Sequence, residues 1–213
     1  MSKPNSARRR TAAKRLVVAI TGASGAPYAV RLVERAVRAG REVRLVVTRA
    51  GRLVLADEVG LAGTVEAPDF SAIWPKQVLA HVRYTPAERL DAPPASGSFD
   101  AEAVVVIPCT MNTAAAIAHG LSANLVQRAA HVALKEGRPL VLVPRETPMT
   151  AMDLENLARL ARAGAAVVPA MPGFYHRPRS VGDLVDFVVA KVLGRLGIAH
   201  GLKVRWPGAE PEA

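Results

Sequence analysis

A pattern that recurs five times along the chain constrains the fold most. Each unit is a short apolar run, then a polar or glycine-containing turn, then a helical periodicity, and the runs lie at 16–20, 43–47, 104–107, 140–143 and 165–168. Runs without a polar face are typical of strands buried on both sides. Strands that alternate with helices form a parallel sheet covered by helices. The sequence therefore predicts an α/β fold with three layers, α/β/α, around a mostly parallel sheet.

The chain length suits one domain, because 213 residues can bury a full core. We expect residues 1–14 to be a disordered basic tail, 15–200 a single domain and 201–213 a C-terminal tail. A weaker strand is predicted near Val78–Val82, and a long loop over 84–100, where Pro, Gly and Ser are frequent. The apolar periodicity predicts helices at about 26–39, 49–58, 111–119, 122–136, 151–163 and 180–195.

Charge and cysteine content exclude several classes of protein. The net charge is +10, but six of the positive charges lie in residues 3–15, so specific nucleic-acid binding is not expected. One cysteine, Cys109, excludes an internal disulfide and a cysteine-based zinc cluster, and no His pair has a metal-ligand spacing. We therefore expect no metal site. No apolar run approaches the ~18–20 residues of a membrane span, so we expect a cytoplasmic protein.

Polar side chains follow four of the predicted strands where each strand ends. Ser24 lies in the turn Gly22–Gly25, Thr48 follows the second run, and Arg145 with Glu146 follows the fourth. Thr110, Asn112 and Thr113 follow the third run. Each alone also fits a helix cap. Because ligands bind beyond the carboxyl ends of parallel strands, the four ends together predict a site for a phosphate-bearing ligand.

Three further features are less specific, and the first two are each open to two interpretations. Arg128 and Lys135 lie seven residues apart on one helix face, either as a solvated basic face or as a phosphate clamp. The segment 173–178 carries Tyr175 and is either a hydrophobic plug or an aromatic wall with a phenol donor. Lys191 by itself is only a helix lysine.

With these residues in order, the chain resembles the flavin prenyltransferases of the UbiX family from about residue 15 to residue 206. Nine motifs carry the resemblance: TGASGA at 21–26, PASGSF at 94–99, PCTMNT at 108–113, RAA at 128–130, LKE at 134–136, RPLVL at 138–142, PRETP at 144–148, PGFYHRP at 172–178 and RW at 205–206.

The resemblance implies a Rossmann-like flavoprotein that transfers a dimethylallyl group from dimethylallyl phosphate to N5 and C6 of reduced FMN. Phosphate leaves, no metal is needed, and the prenylated FMN serves UbiD-type decarboxylases. Homo-oligomers, commonly dodecamers with active sites shared between subunits, are also implied.

The resemblance also implies a role for each matching residue. Glu146 would handle a proton, and Glu58 matches a further acidic position near the active site. Tyr175 and Lys191 would hold the prenyl phosphate, helped by Arg128 and Lys135. Lys191 stands where the family usually has Arg, so a bidentate grip becomes a point charge. The residues implied to contact FMN are Gly22, Ala23, Ser24, Thr48, Thr110, Met111, Asn112, Thr113 and Arg145.

Two alternatives remain within the same class of fold. One is an FMN-dependent cysteine decarboxylase, which would be expected to use a His early in the chain, although none precedes His81. The other is a non-catalytic flavin-binding protein, which would not need Lys135, Glu146 and Tyr175 together.

Overall fold

The computed structural model describes residues 14–202 and residue 204, and it has the three predicted layers. The strands are β1 (Arg15–Ile20), β2 (Glu42–Val47), β3 (Ala62–Gly63), β4 (Pro68–Asp69), β5 (Val82–Pro86), β6 (Ala101–Cys109), β7 (Leu140–Pro144) and β8 (Ala166–Val167). The helices are α1 (Ala26–Arg38), α2 (Arg49–Val59), α3 (Lys76–Leu79), α4 (Met111–Ala118), α5 (Leu125–Lys135), α6 (Ala151–Arg162) and α7 (Val181–Arg195).

The main sheet has six parallel strands in the order β5-β2-β1-β6-β7-β8. The core has two parts, one on each face. Residues of α1, α2 and α7 pack on one face, and residues of α4, α5 and α6 pack on the other. The chain leaves β1 toward β2 and β5, then returns to place β6 on the other side of β1. This change of direction opens a crevice at the carboxyl ends of β1 and β6, where ligands bind in such sheets.

The predicted elements agree with the structure except around residue 80. Residues 76–79 form a short helix that begins after Pro75, and the strand begins only at Val82. It continues to Pro86, inside the predicted loop, because Val82 and Tyr84 alternate toward the core while the strand pairs with β2. The strand was therefore predicted about four residues too early in the sequence.

Of the predicted basic tail, the structure describes only Lys14, whose ammonium lies 3.3 Å from a carboxylate oxygen of Glu102. Residues 1–13, and the predicted match at Arg205 and Trp206, lie outside the described residues.

One buried hydroxyl ties the ends of the two central strands together. Thr21, which is 1% exposed, follows β1 directly. Its Oγ1 donates to the Pro108 carbonyl at 2.8 Å and accepts from the Thr110 N–H at 2.9 Å. The sequence analysis did not single out this residue.

We expect Thr21→Val to lower the free energy of unfolding by about 1–3 kcal/mol, because the isosteric side chain leaves the Thr110 N–H unpaired and leaves the Pro108 carbonyl with only its 3.3 Å bond from the Thr21 N–H. Urea denaturation measures the change. Thr85→Val in β5 makes the same substitution without removing a bond between β1 and β6, so an equal loss in both variants would contradict this role.

Candidate active site

The four polar strand ends meet at one rim of the sheet, as predicted. Arg145, after β7, donates from Nε to the Ser24 carbonyl at 3.2 Å. Thr110, after β6, is joined to the end of β1 through Thr21. Thr48, after β2, donates from Oγ1 to the Ile20 carbonyl at 3.4 Å. The rim therefore runs over four adjacent strands, β2-β1-β6-β7, on both sides of the crevice.

The β1–α1 turn is tight because the start of α2 packs against it. A Cβ at Gly22 would lie 2.5 Å from the Cβ of Ala50, in the first turn of α2. Gly25 has φ +117°, a conformation that favours glycine. The two glycines thus allow the β1–α1 turn to lie directly beside the start of α2.

The start of α1 is occupied by a carboxylate of the chain itself. Glu58, in the last turn of α2, accepts from the Gly25 N–H at 2.8 Å and from the Ala26 N–H at 2.7 Å. The Ser24 side chain also bonds to this carboxylate. The sequence predicted a ligand anion at these N–H groups, but Glu58 already binds them.

The surroundings of Glu58 favour its charged form. Burial acts to raise its pKa, but hydrogen bonds from the Ser24 side chain and the Gly25 and Ala26 N–H groups, with the charge of Arg145, lower the pKa overall. Since the folded-state pKa lies below the ordinary value of 4.5, the stabilisation is present above that value. It is lost as the pH falls through the folded-state pKa.

We therefore expect Glu58→Gln to show a shallower loss of stability than the parent between about pH 5 and pH 3, because the neutral amide has no charge to lose. Denaturant titrations at several pH values measure this slope. Glu66→Gln removes an exposed carboxylate from the β3–β4 connection and serves as the control. A parent-like acid slope in Glu58→Gln would contradict the assignment.

Two other helix starts remain available to an anionic ligand. Thr110 caps α4 by accepting from the Thr113 N–H at 3.2 Å, and Thr48 caps α2 by accepting from the Gly51 N–H at 3.0 Å. Met111 and Thr113 are buried, whereas Asn112 is exposed. The first N–H groups of a helix have no partner within it, and the helix dipole favours negative charge there. This donor set, with Arg145, fits a flavin phosphate and its polar ring edge.

Glu146 lies beside Arg145 at the same rim and is half-buried. Its Oε1 accepts from the Thr147 N–H at 3.2 Å. The neighbouring Arg145 donates to the Ser24 carbonyl, so the Arg145 guanidinium lies against the β1–α1 turn and the Glu146 carboxylate follows it in the chain.

Tyr175 and Lys191 line a separate cleft of about 1010 Å³ between α7 and the chain that follows it. The Tyr175 ring packs edge-on against Phe187, with centroids 5.6 Å apart. Lys191 Nζ lies 5.2 Å from the centroid of the same Phe187 ring. The structure therefore brings these two predicted residues together, in a cleft whose lining does not include Ser24, Glu58 or Arg145.

Lys135 lies away from the rim, at the opposite end of α5 from Arg128. Lys135 ends α5 shortly before β7 begins, so it belongs to the amino edge of the sheet, where its Nζ lies 3.1 Å from Glu136. Five residues of β7 at about 3.3 Å each separate that edge from Arg145 by about 16 Å. Arg128 donates to the Ala95 carbonyl at 2.9 Å. Within one chain, the structure does not bring Lys135 to Arg145.

Two absences apply to the part of the chain that the structure describes. No group of three or more His, Cys, Asp or Glu side chains is arranged to hold a metal ion. No helix there has both the length and the apolar character needed to cross a membrane.

The chain is similar to known flavoproteins over most of its length. The Flavoprotein family model matches residues 4–193. A flavin prenyltransferase UbiX of Pseudomonas aeruginosa is 45% identical over 196 residues, which cover 91% of this chain and 94% of that protein.

Two solved structures match over nearly the whole chain. AnUbiX (PadA1), in complex with FMN and dimethylallyl pyrophosphate, superposes with a TM-score of 0.82 at 35% identity, covering 93% of this chain and all of that one. A dodecameric FMN-dependent UbiX-like decarboxylase from Escherichia coli O157:H7 has a TM-score of 0.81 at 39% identity, covering 91% and 100%.

The fold is that of a flavoprotein with a mostly parallel, Rossmann-like α/β sheet. Within that class, the chain belongs to the UbiX family of flavin prenyltransferases, and it is a transferase.

Proposed function

We propose that the protein transfers a dimethylallyl group from dimethylallyl phosphate to N5 and C6 of reduced FMN, without a metal. Reduced FMN supplies the two nucleophilic atoms, and phosphate leaves. The product is prenylated FMN, and its recipient is a UbiD-type decarboxylase. The observation that carries this proposal is the single rim formed by Ser24, Thr110 and Arg145 at the crevice between β1 and β6.

The rim supports FMN binding by the nine residues that the sequence singled out. Ser24, Arg145 and the starts of α2 and α4 offer donors to an anion and to the polar edge of a flavin. Gly22 lets the β1–α1 turn lie beside the start of α2, Ala23 follows it in the same turn, and Asn112 is the exposed side chain at the start of α4. Glu58, which is held at the turn by the Gly25 and Ala26 N–H groups, places a carboxylate beside the same ligand.

The cleft at Tyr175 and Lys191 supports the second substrate. Lys191 offers a positive charge and Tyr175 a phenol donor, and both stabilise the charge that grows on the departing phosphate. The aromatic faces of Tyr175 and Phe187 suit the positive charge that develops on the allyl group. When the second bond closes, flavin C6 adds to one carbon of the prenyl double bond, the other carbon gains a proton and C6 loses one, and Glu146 takes the proton that leaves the flavin ring.

The separation of the three groups of residues supports a shared site. Arg145 is at the carboxyl edge, Lys135 is at the amino edge, and Tyr175 lines a cleft of its own. We infer that a homo-oligomer, such as a dodecamer, brings Lys135 and Arg128 of one subunit to the rim of another.

The test is a mass spectrum of the flavin after the protein is incubated with reduced FMN and dimethylallyl phosphate without metal. We expect the flavin mass to increase by one dimethylallyl unit. Neither an FMN-dependent cysteine decarboxylase nor a flavin carrier would produce this increase. Unchanged flavin, from protein that binds FMN by fluorescence quenching, would overturn the proposal.

A further inference from the structure

Three arginines lie side by side on one face of the sheet, near the amino ends of its strands. Arg44 of β2 pairs in register with Arg83 of β5 on one side and with Val17 of β1 on the other. Arg15 lies two residues before Val17 in β1, so its side chain is on the same face. Neighbouring strands are about 4.8 Å apart, so Arg15, Arg44 and Arg83 form one group, which we call the arginine patch.

An aromatic ring supports two members of the arginine patch. The guanidinium carbons of Arg15 and Arg44 lie 5.6 Å and 5.9 Å from the centroid of the Phe99 ring. Arg138 fixes the backbone beside this ring, because it donates to the Gly97 carbonyl at 2.9 Å and also to the Phe99 carbonyl. The two guanidinium groups are therefore held against a fixed support.

The carboxylates near the arginine patch are bound by other cations. Glu42 lies on the same face of β2, but its carboxylate is 2.8 Å from Nδ1 of His81. Glu102 at the same edge of the sheet pairs with Lys14 and Arg41. Within residues 14–202 and 204, no ion pair joins a carboxylate to a member of the patch.

The positive charges of the arginine patch oppose one another. Burial lowers the pKa of the Arg44 guanidinium, and the charges of Arg15 and Arg83 lower it further, although the charge of Glu42 acts against them. Like charges on directly paired residues of neighbouring strands destabilise a sheet. An anion at the patch would relieve part of this repulsion, so the arrangement favours a negatively charged ligand.

The arginine patch lies close to Lys135, the cation that we assigned to the rim of another subunit. Gly97, two residues before Phe99, packs against the end of α5, where an added Cβ would lie 3.5 Å from Lys135 Nζ. In the shared site, the patch therefore accompanies Lys135 to the rim of the neighbouring subunit.

We propose that the arginine patch attracts the phosphate group of incoming FMN and directs it toward the rim of the neighbouring subunit. This rests on the shared site of the proposed function. A phosphate monoester carries about −1.5 to −2 charges at pH 7. A surface of the opposite sign raises the association rate of such a ligand by about 10–10³-fold, which corresponds to about 2–10-fold for each of three arginines.

The experiment measures how fast FMN binds to the purified oligomer, by stopped-flow quenching of flavin fluorescence. At low ionic strength we expect Arg44→Gln to lower the association rate about 2–10-fold and to leave the dissociation rate unchanged. The difference should vanish near 1 M salt, where the screening length is about 3 Å. Arg83→Gln repeats the test at an exposed side chain outside the contacts with Phe99.

Two matched controls isolate the arginine patch. Arg162→Gln removes the same charge from the end of α6, next to β8 at the opposite edge of the sheet, and should leave the FMN association rate unchanged. Riboflavin has the same ring system without the phosphate, so its association rate should not respond to Arg44→Gln.

An unchanged FMN association rate in both Arg44→Gln and Arg83→Gln would overturn the inference. An equal decrease for riboflavin, or in Arg162→Gln, would overturn it as well. The measurement does not depend on turnover. If FMN associates at a rate that depends on the patch but is not prenylated, the proposed function fails while the role of the patch stands.

Discussion

Glu146→Gln is expected to slow formation of the fourth flavin ring by about 10²–10⁴-fold, the usual cost of a lost acid–base group. The physical reason is that the amide cannot accept the proton that leaves the flavin ring when the second bond forms. Binding of FMN should persist, because Arg145 and the Ser24 turn are unchanged. Single-turnover absorbance of reduced flavin with dimethylallyl phosphate, followed by mass spectrometry, separates the first bond from ring closure.

The control for this prediction is Glu155→Gln, which changes an exposed carboxylate on α6 away from the rim. It should react at the parent rate. Ring closure at the parent rate in Glu146→Gln would remove Glu146 from the proposed proton transfer, even if FMN binding and prenylation were observed.

Local signals explain why most of the fold could be predicted from the sequence. Buried strands, helix periodicity and capping residues each act over a few positions, and they agree with one another. Thr110, Thr150 and Ser180 cap the helices that follow them. The displaced strand near residue 80 shows the limit, because pairing with β2 fixed its start more strongly than the apolar residues did.

The contacts of the rim depend on packing that no local signal reports. Glu58 lies in the last turn of α2, yet it caps the start of α1, 32 residues earlier at Ala26. No spacing rule predicts this contact, because it depends on how closely α2 approaches the Gly22 turn. The role of Thr21 could have been predicted, because a hydroxyl side chain directly after a buried strand can join the ends of neighbouring strands.

The position of Lys135 follows from topology alone. In a parallel sheet, a helix that connects two strands starts at the carboxyl edge and ends at the amino edge. Lys135 at the end of α5 must therefore lie at the opposite edge from Arg145, although the resemblance implied one active site, with Arg145 on FMN and Lys135 on the prenyl phosphate. A shared site reconciles the two residues, and this leads to a test that uses mixed subunits.

Lys135→Ala and Arg145→Ala are each expected to lose activity by about 10²–10³-fold, because each removes a cation that stabilises developing charge. When the two variants are co-expressed with different tags and the doubly tagged oligomers are purified, activity should return. If each site uses Arg145 of one subunit and Lys135 of another, random mixing leaves about a quarter of the sites with both native residues. Prenylation assays on the mixed oligomers measure the recovery.

The matched control mixes Arg145→Ala with Glu146→Gln. These two residues are adjacent at the end of β7, so they serve the same rim of the same chain. Mixing cannot place a native Arg145 and a native Glu146 from different chains in one site, and activity should stay low. If the Lys135 and Arg145 mixture also stayed low, Lys135 would have to act within its own chain. The distance of about 16 Å between the two sheet edges would then require that a rearrangement bring them together.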